Sequence, residues 1–467
     1  MQSRVLRPQT LLSATLLLSI TFRIGVALYL GNIVDAPQLL TDQRAYHRLG
    51  VRLAEGYGFS FAENNYPFTP ANTPTSHWSF LQSLFVAGVY SVFGAHPLAA
   101  RLVEAVLGGL LLPLMVFRLA RRVFPAIQPG TVRLGGVRYQ IPDTLPLLSA
   151  FLAATYLYFV LYAATLMTET FYIVALLWSL ERAMAVVDRW RVAASFRLRE
   201  VVALGIALGL ATLFRQSILP WIAVLFAWLL WAGYRTHALR YSLLAISISA
   251  LILSALVLPF TIRNYTVYDE FLLLNSNAGY AMYSSQHPMH GTSFQEFNAP
   301  PVPPELAGLN EAQLDRELMR RGIGFVLDEP GRYLLLSLSR VRDYFEFWPS
   351  SDTTLLHNIG RVGSFGLLLP FMLYGLWVSI RQQLEVERAP KRRSRFATLS
   401  HISISNQGLL YLFVISYSLL HIFTWAFPRY RLPVDSVLIL FAALGITDIV
   451  RRLIATGNGL ALRQVSS

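Results

Sequence analysis

The sequence predicts an all-α, polytopic membrane protein with about ten spanning helices. Of its 467 residues, 54% are hydrophobic and only 14% are charged, and the mean hydropathy is +0.47. Such a composition lies outside the range of soluble proteins of this length. Apolar runs of about 20 residues, the length that crosses a bilayer as a helix, recur along the chain. The net charge of +13 falls mostly in short segments between these runs, which favours membrane orientation over a nucleic-acid partner.

The spans are assigned from the apolar runs in chain order. We predict them near residues 11–30, 98–118, 144–162, 168–187, 200–214, 216–234, 241–262, 360–380, 408–427 and 432–450. The chain contains no cysteine, so packing alone must hold any part that lies outside the membrane.

The orientation follows from the basic residues. Arg4 and Arg7 place the N-terminus in the cytoplasm, so the first helix carries residues 31–97 to the outer side. The apolar segment Trp78–Gly94 is short, and we predict that it lies along the outer interface as a juxtamembrane helix. Both termini are then cytoplasmic in a cell (inner) membrane. The following residues also face inward: Arg118, Arg121, Arg122, Arg133, Arg138, Arg189, Arg191, Arg197, Arg199, Arg235, Arg240, Lys391, Arg392, Arg393, Arg395, Arg451 and Arg452.

This topology divides the chain into three regions. Residues 1–262 form a transmembrane catalytic core that includes the outer loop 31–97. Residues 263–358 form a large outer loop, a candidate lid or acceptor-binding cap. Residues 359–467 contain the last transmembrane helices and a basic cytoplasmic loop at 381–407, whose expected contact is anionic lipid headgroups.

An acid in the first outer loop shares a helix face with apolar residues. At 100° per residue, Asp42 aligns with Tyr46, Leu49 and Leu53, while Arg44 lies on the opposite face with Arg48 and Arg52. A helix on the membrane surface would turn that apolar face inward. The pattern indicates that Asp42 points to a buried site.

Other polar residues fall at the same predicted side of the membrane. Basic residues of membrane proteins are usually found on the cytoplasmic side. Arginines at outer helix ends depart from this rule, which indicates that they hold a bound anion. The chain lacks the GxxxxGK[ST], GxGxxG and DxD nucleotide motifs, so the favoured anion is a lipid phosphate. The candidate substrate-binding residues are His77, Arg215, Arg263, Asn264, Arg429, Tyr430 and Arg431, and Glu169 opens the fourth helix beside them.

The order of several segments resembles a known family. These segments are TDQRAYHRLGVRLAEGYGFS, YSVFGAHPLAARLVEAVLGGLLLPLMVFRLARRVF, TET, LPFTIRNYTVYDEFLLLNSNAG and FPRYRLPVDSVLILFAALGI. Together they resemble integral-membrane glycosyltransferases of the GT-C type, and more narrowly the protein mannosyltransferase and aminoarabinose transferase superfamily. The resemblance covers nearly the whole chain. It implies a GT-C type bundle with a polyprenyl-phosphate-linked sugar as donor and the first-loop acid, Asp42, as catalytic base. The sequence departs from the family pattern at two places, PTSHW before the interfacial helix and Asp435 after the RYR turn. For this reason the resemblance implies nothing about how the acceptor is recognised.

The chemistry of such a transfer needs few groups. A carboxylate receives the proton of the acceptor hydroxyl, and cations stabilise the departing phosphate. We therefore predict Asp42 as general base, with Glu169 as a second catalytic acid, in an inverting transfer of a hexosyl or pentosyl group to a lipid, glycan or protein. No cofactor is expected. A divalent metal is not indicated, since Pro288 and the lack of a nearby acid disfavour a site at His287 and His290.

Simpler readings and other protein classes stay open. Asp42 at a helix start is also a normal cap beside Thr41, Glu169 also complements a helix N-terminus, and Arg429 and Arg431 also suit lipid headgroups. The alternative functions are a polytopic lipid or sugar transporter or flippase, and a non-catalytic lipid-binding subunit of cell-envelope assembly. Repeated halves and charges near the membrane midplane would favour a transporter.

Overall fold

Helices dominate the structure, a computed structural model that describes residues 4–5, 7–34, 42–65, 69–124, 130–134, 137–141, 144–193, 195–294, 300–351, 353–388 and 402–465. We label them α1 (Pro8–Leu30), α2 (Asp42–Ala54), α3 (Phe80–Phe93), α4 (Pro97–Val123), α5 (Thr144–Thr155), α6 (Leu157–Tyr162), α7 (Glu169–Ala193), α8 (Leu198–Phe214), α9 (Leu219–Arg235), α10 (Leu239–Tyr268), α11 (Ala278–Gln286), α12 (Glu311–Asp328), α13 (Pro330–Tyr344), α14 (Leu355–Arg361), α15 (Leu367–Arg388), α16 (Asn406–Phe423) and α17 (Leu432–Val465).

Every predicted span lies mainly on helix, and the long apolar helices confirm a multi-pass membrane protein. Among the described residues, seven helical segments are long and apolar enough to cross a bilayer: α1, α4, α7, residues 216–235, α10, residues 357–385 and α16. The other predicted spans correspond to the pair α5 and α6, to the 17 residues of α8, and to the start of α17. The predicted interfacial segment forms α3, whose 14 residues reach about 21 Å and are too short to span.

The centre of the bundle is α7, which is mostly buried along its length. It packs against α4, α8 and α17, and α4 can approach it closely because Gly108 has no side chain. A Cβ atom at Gly108 would lie 2.5 Å from Cγ2 of Thr170. Leucine, alanine and aromatic side chains of these helices fill the surrounding core.

Arginines and acids cross-link the helices at the far end of α7. Arg122 of α4 pairs with Glu181 (2.8 Å) and with Asp188 (3.0 Å), and Arg118 approaches Glu181 at 3.8 Å. Asp188 lies 19 residues beyond Glu169, or about 28 Å along the helix axis. The basic residues that the sequence places on the cytoplasmic side therefore lie at the opposite end of α7 from Glu169.

A break in the third predicted span was not expected from the sequence. The helix stops at Thr155, turns at Tyr156 and resumes at Leu157. Arg23 of α1 is fully buried and donates hydrogen bonds to the carbonyl oxygens of Ala154 (3.0 Å) and Ala153 (3.4 Å). A cation at these terminal carbonyls stabilises the end of α5.

A small sheet adds to the all-α architecture. Strand β1 (Arg4–Val5) pairs in parallel with β3 (Val137–Ile141), and β2 (Gly130–Leu134) pairs antiparallel with β3. The register places Leu134 opposite Val137. The sheet thus joins the start of the chain to the segment that connects α4 with α5.

Candidate active site

Four segments from distant parts of the sequence meet at one end of the bundle. They are the start of α2 at Asp42, the start of α7 at Glu169, the residue after α8, Arg215, and the 3₁₀ turn Pro428–Arg431. Each lies at a helix terminus, where polar side chains leave the apolar bundle. The sequence assigned all four to the same side, and the structure brings their side chains into contact.

Asp42 and Arg429 form the more accessible ion pair of this site. The Nη1 atom of Arg429 lies 2.8 Å from Oδ2 of Asp42, and the two side chains are 16% and 26% exposed. The guanidinium of Arg429 also lies over the ring of Tyr430, at 5.2 Å from its centroid. A carboxylate that opens a helix and is still partly accessible can receive a proton from a bound hydroxyl group.

Glu169 and Arg215 form a deeper ion pair. Arg215 donates from Nη2 to Oε1 of Glu169 and from Nε to Oγ1 of Thr168 at 2.7 Å. The guanidinium lies 5.4 Å from the ring centroid of Tyr430. Tyr430 therefore contacts both arginines of the site.

Burial and charge act in opposite directions on the two arginines. Burial alone disfavours the charged guanidinium of Arg429, but Asp42, Tyr430 and Glu169 together outweigh burial and raise the pKa of Arg429 well above its ordinary value. The pKa of Arg215 is raised against burial in the same way, by Glu169 together with neighbouring tyrosines. Both arginines are therefore positively charged at every physiological pH.

Aromatic residues close the site on the side of α2 and α3. Tyr46 follows Asp42 by one helical turn, is buried, and meets Trp78 edge to face at 5.6 Å. Burial and the charge of Asp42 raise the pKa of the Tyr46 hydroxyl, so it stays protonated. Beside Trp78, burial lowers the pKa of His77, whose Nδ1 atom lies 3.3 Å from the carbonyl oxygen of Ser276. His77 is thus a neutral residue at the edge of the site.

Arg263 and Asn264 hold two loops together at the end of α10. Arg263 donates from Nη1 to the carbonyl oxygen of Thr75 (2.9 Å) and to Oγ of Ser76 (2.6 Å). Asn264 is fully buried and donates to the carbonyl oxygen of Leu274 at 2.7 Å. The contacts of this pair are therefore made with the backbone and side chains of neighbouring loops.

Glu311, at the start of α12, extends the same loop contact. Its carboxylate accepts hydrogen bonds from Thr75 Oγ1 (2.7 Å), from the Ser76 backbone N–H (2.7 Å) and from Ser276 Oγ (2.8 Å). Further donors are Thr69 and Tyr268. A buried carboxylate with this many donors fixes the loop at 263–358 against the first loop.

Arg431 lies inside the bundle rather than beside Arg429. Its side chain is fully buried and its Nε atom lies 2.9 Å from Oδ1 of Asp435. Nη1 donates to the carbonyl oxygen of Tyr344 at 2.5 Å, and Tyr156 donates to Oδ2 of Asp435 at 2.6 Å. Arg431 thus connects the break between α5 and α6 to the start of α17.

The structure also places residues near the site that the sequence analysis missed. Glu104 of α4 is fully buried and accepts a hydrogen bond from Nε2 of Gln82 at 3.3 Å. Glu169 lies close enough for its charge to act on Glu104. An acid within the apolar run 98–118 was the available signal, because ionisable residues inside spans are costly and usually functional. Within the described part of the chain, no group of three or more His, Asp or Glu side chains is arranged to hold a metal ion.

Comparison with solved structures defines the class of fold. No family model matches the sequence, and no curated protein does so either. The fold is that of the polytopic GT-C membrane glycosyltransferases, which confirms the predicted fold class.

Two of the solved structures show this likeness. The archaeal oligosaccharyltransferase AglB from Archaeoglobus fulgidus, in complex with an inhibitory peptide and a dolichol-phosphate, is 16% identical, with a TM-score of 0.57 over 97% of this chain and 52% of that one. ArnT from Cupriavidus metallidurans, bound to undecaprenyl phosphate, is 13% identical, with a TM-score of 0.52 over 97% of this chain and 63% of that one. The chain spans about half of the first protein and under two thirds of the second.

Proposed function

We propose that the protein is a membrane glycosyltransferase that moves a sugar from a polyprenyl-phosphate-linked donor to an acceptor hydroxyl. The observation that carries the proposal is the pairing of Asp42 with Arg429 beside the pair of Glu169 with Arg215. It places one partly accessible carboxylate next to two permanent cations at an end of an apolar bundle. The AglB and ArnT structures with lipid phosphates add support at the level of fold.

The proposed reaction is a single displacement at the anomeric carbon. Asp42 takes the proton of the acceptor hydroxyl group, and the oxygen of that hydroxyl group bonds to the anomeric carbon. The bond from that carbon to the phosphate oxygen breaks, and the bond's electron pair leaves with the polyprenyl phosphate. Arg429 and Arg215 stabilise the developing negative charge. One displacement inverts the configuration of the sugar.

The phosphate is assigned to Arg429 and Arg215 on grounds of access. Both guanidinium groups retain some exposure, at 16% and 13% of the side chain, whereas the Arg431 side chain is fully buried. Arg263 already donates to Thr75 and Ser76. In this proposal Arg431 and Arg263 hold the scaffold, Glu169 positions Arg215, and the predicted orientation makes this end of the bundle the outer side.

The proposal is tested with purified protein and undecaprenyl-phosphate-linked sugars. Wild-type protein should release undecaprenyl phosphate when acceptor lipids or glycans from the native envelope are added. Asp42→Asn keeps the shape of the side chain but removes the base, so turnover should fall by about a hundredfold or more. A transporter or flippase would move the lipid between leaflets of a vesicle without consuming it, and that result would contradict the proposal.

Asp269→Asn is a matched control for the loss of a carboxylate. Asp269 ends α10 in the left-handed conformation (φ 53°) and is exposed. Asparagine adopts this conformation readily, so the fold is retained. Turnover by Asp269→Asn should equal that of the wild type, and equal losses in both variants would remove Asp42 from the mechanism.

A further inference from the structure

We propose that Glu104 and Gln82, together with Glu169, form a buried subsite that accepts hydrogen bonds from the hydroxyl groups of the donor sugar. Glu104 is then a specificity residue for the proposed transferase, and the inference rests on that proposed function. It goes beyond the ion pairs described above, because it concerns the sugar rather than the phosphate or the base.

Three buried polar atoms in this region have unmet hydrogen-bonding capacity. Glu104 and Gln82 are both 0% exposed and Glu169 is 1% exposed. The Oε1 atoms of Glu104 and Gln82 and the Oε2 atom of Glu169 have no hydrogen-bond partner among the described residues. Buried polar atoms in folded proteins are nearly always paired, so three unpaired acceptors in one region indicate a group that donates to them.

These three atoms lie in one region of the bundle. Glu104 and Gly108 are one turn apart on the same face of α4, and Gly108 packs on Thr170, the neighbour of Glu169. Glu104 therefore faces the start of α7. Gln82, near the start of α3, donates from Nε2 to the carboxyl group of Glu104. The three side chains thus come from three helices, α3, α4 and α7.

The chemistry of the unpaired atoms suits a sugar. Each unpaired atom is a carboxyl or amide oxygen, which accepts hydrogen bonds. Sugar hydroxyl groups are donors, and carboxylates and side-chain amides are their usual partners in buried sites. Glu104 lies about 10 Å along α4 from the start of that helix. A sugar that reaches Glu104 would occupy the interior of the bundle, while its phosphate stays at the arginines.

The alternative is a structural role for Glu104. Its nearest cation is Arg101, one turn away on α4, whose charge acts on Glu104. Arg101 is committed elsewhere: it donates to the carbonyl oxygens of Gly31 and Ile33 at 2.6 Å and to Oε1 of Gln43 at 2.8 Å. A carboxyl group without an ion-pair partner destabilises a bundle, and that cost argues for a functional reason to place it there.

The experiment compares undecaprenyl phosphate with probes that carry a sugar on the same lipid phosphate. The affinity of purified protein is measured for undecaprenyl phosphate and for undecaprenyl-phosphoryl glucose, mannose and arabinose. Glu104→Gln keeps one acceptor, and Glu104→Leu keeps none. We expect the affinity for the sugar-bearing probe preferred by the wild type to fall about tenfold in the first variant and up to about a hundredfold in the second. The affinity for undecaprenyl phosphate should change by less than about threefold.

Glu200→Gln is the matched control at the other end of the bundle. Glu200 is also a buried acid, paired with Arg189 at 3.1 Å, and its replacement should leave both affinities unchanged. Equal losses on both probes in Glu104→Leu would show a structural role and overturn the subsite. An unchanged affinity for the sugar-bearing probe would overturn it as well. If the wild type binds undecaprenyl phosphate but none of the sugar-bearing probes, the proposed function itself fails.

Discussion

The ion pair between Asp42 and Arg429 leads to a prediction in which binding and turnover move in opposite directions. In the proposed mechanism, the donor phosphate competes with Asp42 for the guanidinium of Arg429. Asp42→Asn removes the competing charge and leaves the guanidinium in place. The variant should therefore bind undecaprenyl phosphate more tightly than the wild type while it loses turnover.

The magnitude follows from the geometry of the pair. Nη1 of Arg429 lies 2.8 Å from Oδ2 of Asp42, and the two side chains are 16% and 26% exposed. Charges centred about 4 Å apart interact by about 4 kcal/mol at an effective dielectric constant of 20. Partial exposure screens the pair, and half of this figure, about 2 kcal/mol, is a reasonable net value. That energy corresponds to a gain in affinity of about thirtyfold.

The assay is equilibrium titration of detergent-solubilised protein with undecaprenyl phosphate, with turnover measured on the same preparations. Arg429→Gln removes the cation and should weaken binding by about tenfold or more. Asp269→Asn again serves as the control with one carboxylate fewer. Weaker binding of undecaprenyl phosphate by Asp42→Asn, at an unchanged thermal midpoint, would refute the competition between Asp42 and the phosphate.

Three further predictions address the scaffold and the orientation. Arg263→Ala should lower the thermal midpoint by a few degrees, because the variant loses the hydrogen bonds that hold the loop at residue 75, but it should leave the affinity for undecaprenyl phosphate unchanged. Arg215→Ala should weaken that affinity. The reverse pattern would assign the phosphate to Arg263 instead. Burial raises the pKa of Asp315 to about 6, so the folded protein retains this proton between pH 4 and 6 while the unfolded chain releases it, and the wild type loses stability as the pH rises through that window. In Asp315→Asn the asparagine can still accept the hydrogen bond from Gly279 N–H. Its free energy of unfolding should exceed that of the wild type by up to about 3 kcal/mol at pH 8 and by little at pH 4. A difference in thermal unfolding that does not depend on pH would contradict this assignment. The chain has no cysteine of its own, so a cysteine introduced at Arg133 should react with a membrane-impermeant thiol reagent only after the membrane is opened. Labelling of this cysteine in intact cells would show that the predicted topology is inverted.

The sequence predicted that the candidate site residues share one end of the bundle, because the order of apolar runs tells which helix ends lie on the same side. Each apolar run reverses the chain, so the side of every helix end follows from counting runs and from the arginines between them. Asp42, Glu169, Arg215 and Arg429 all lie at helix ends, and their assignment to one side required no knowledge of packing. The contacts of Arg429 with Asp42 and of Arg215 with Glu169 agree with that count.

The partner of each arginine could not be predicted in this way. Arg429 and Arg431 are two residues apart, yet one faces Asp42 and the other is buried against Asp435. Which of them reaches the site depends on the rotation of a four-residue 3₁₀ turn, and periodicity does not specify that rotation. Asp435 follows Arg431 by one helical turn, which was the local signal for their pairing.

Two other features had signals in the sequence that a hydropathy count overlooks. The segment TVRLGGVRYQI alternates apolar and polar residues around a Gly-Gly pair, which is typical of a hairpin, and β2 and β3 form there. Arg23 is the only charge in its apolar run, and Glu104 shares its run with Arg101, so averaging over a window hides them. Their burial and their partners depend on neighbouring helices and are visible only in the packed structure.

The charges around the site also explain how the proposed phosphate site can be stable without its ligand. Asp42 pairs with Arg429 and Glu169 pairs with Arg215, so that two carboxyl groups offset the charge of two guanidinium groups. An uncompensated cluster of arginines beside an apolar bundle would be costly, and pairing with acids removes that cost. The same pairing holds Asp42 on Arg429 until an anion takes its place. In the proposed mechanism the base thus becomes free when the leaving group is bound, which couples proton acceptance to the presence of the donor.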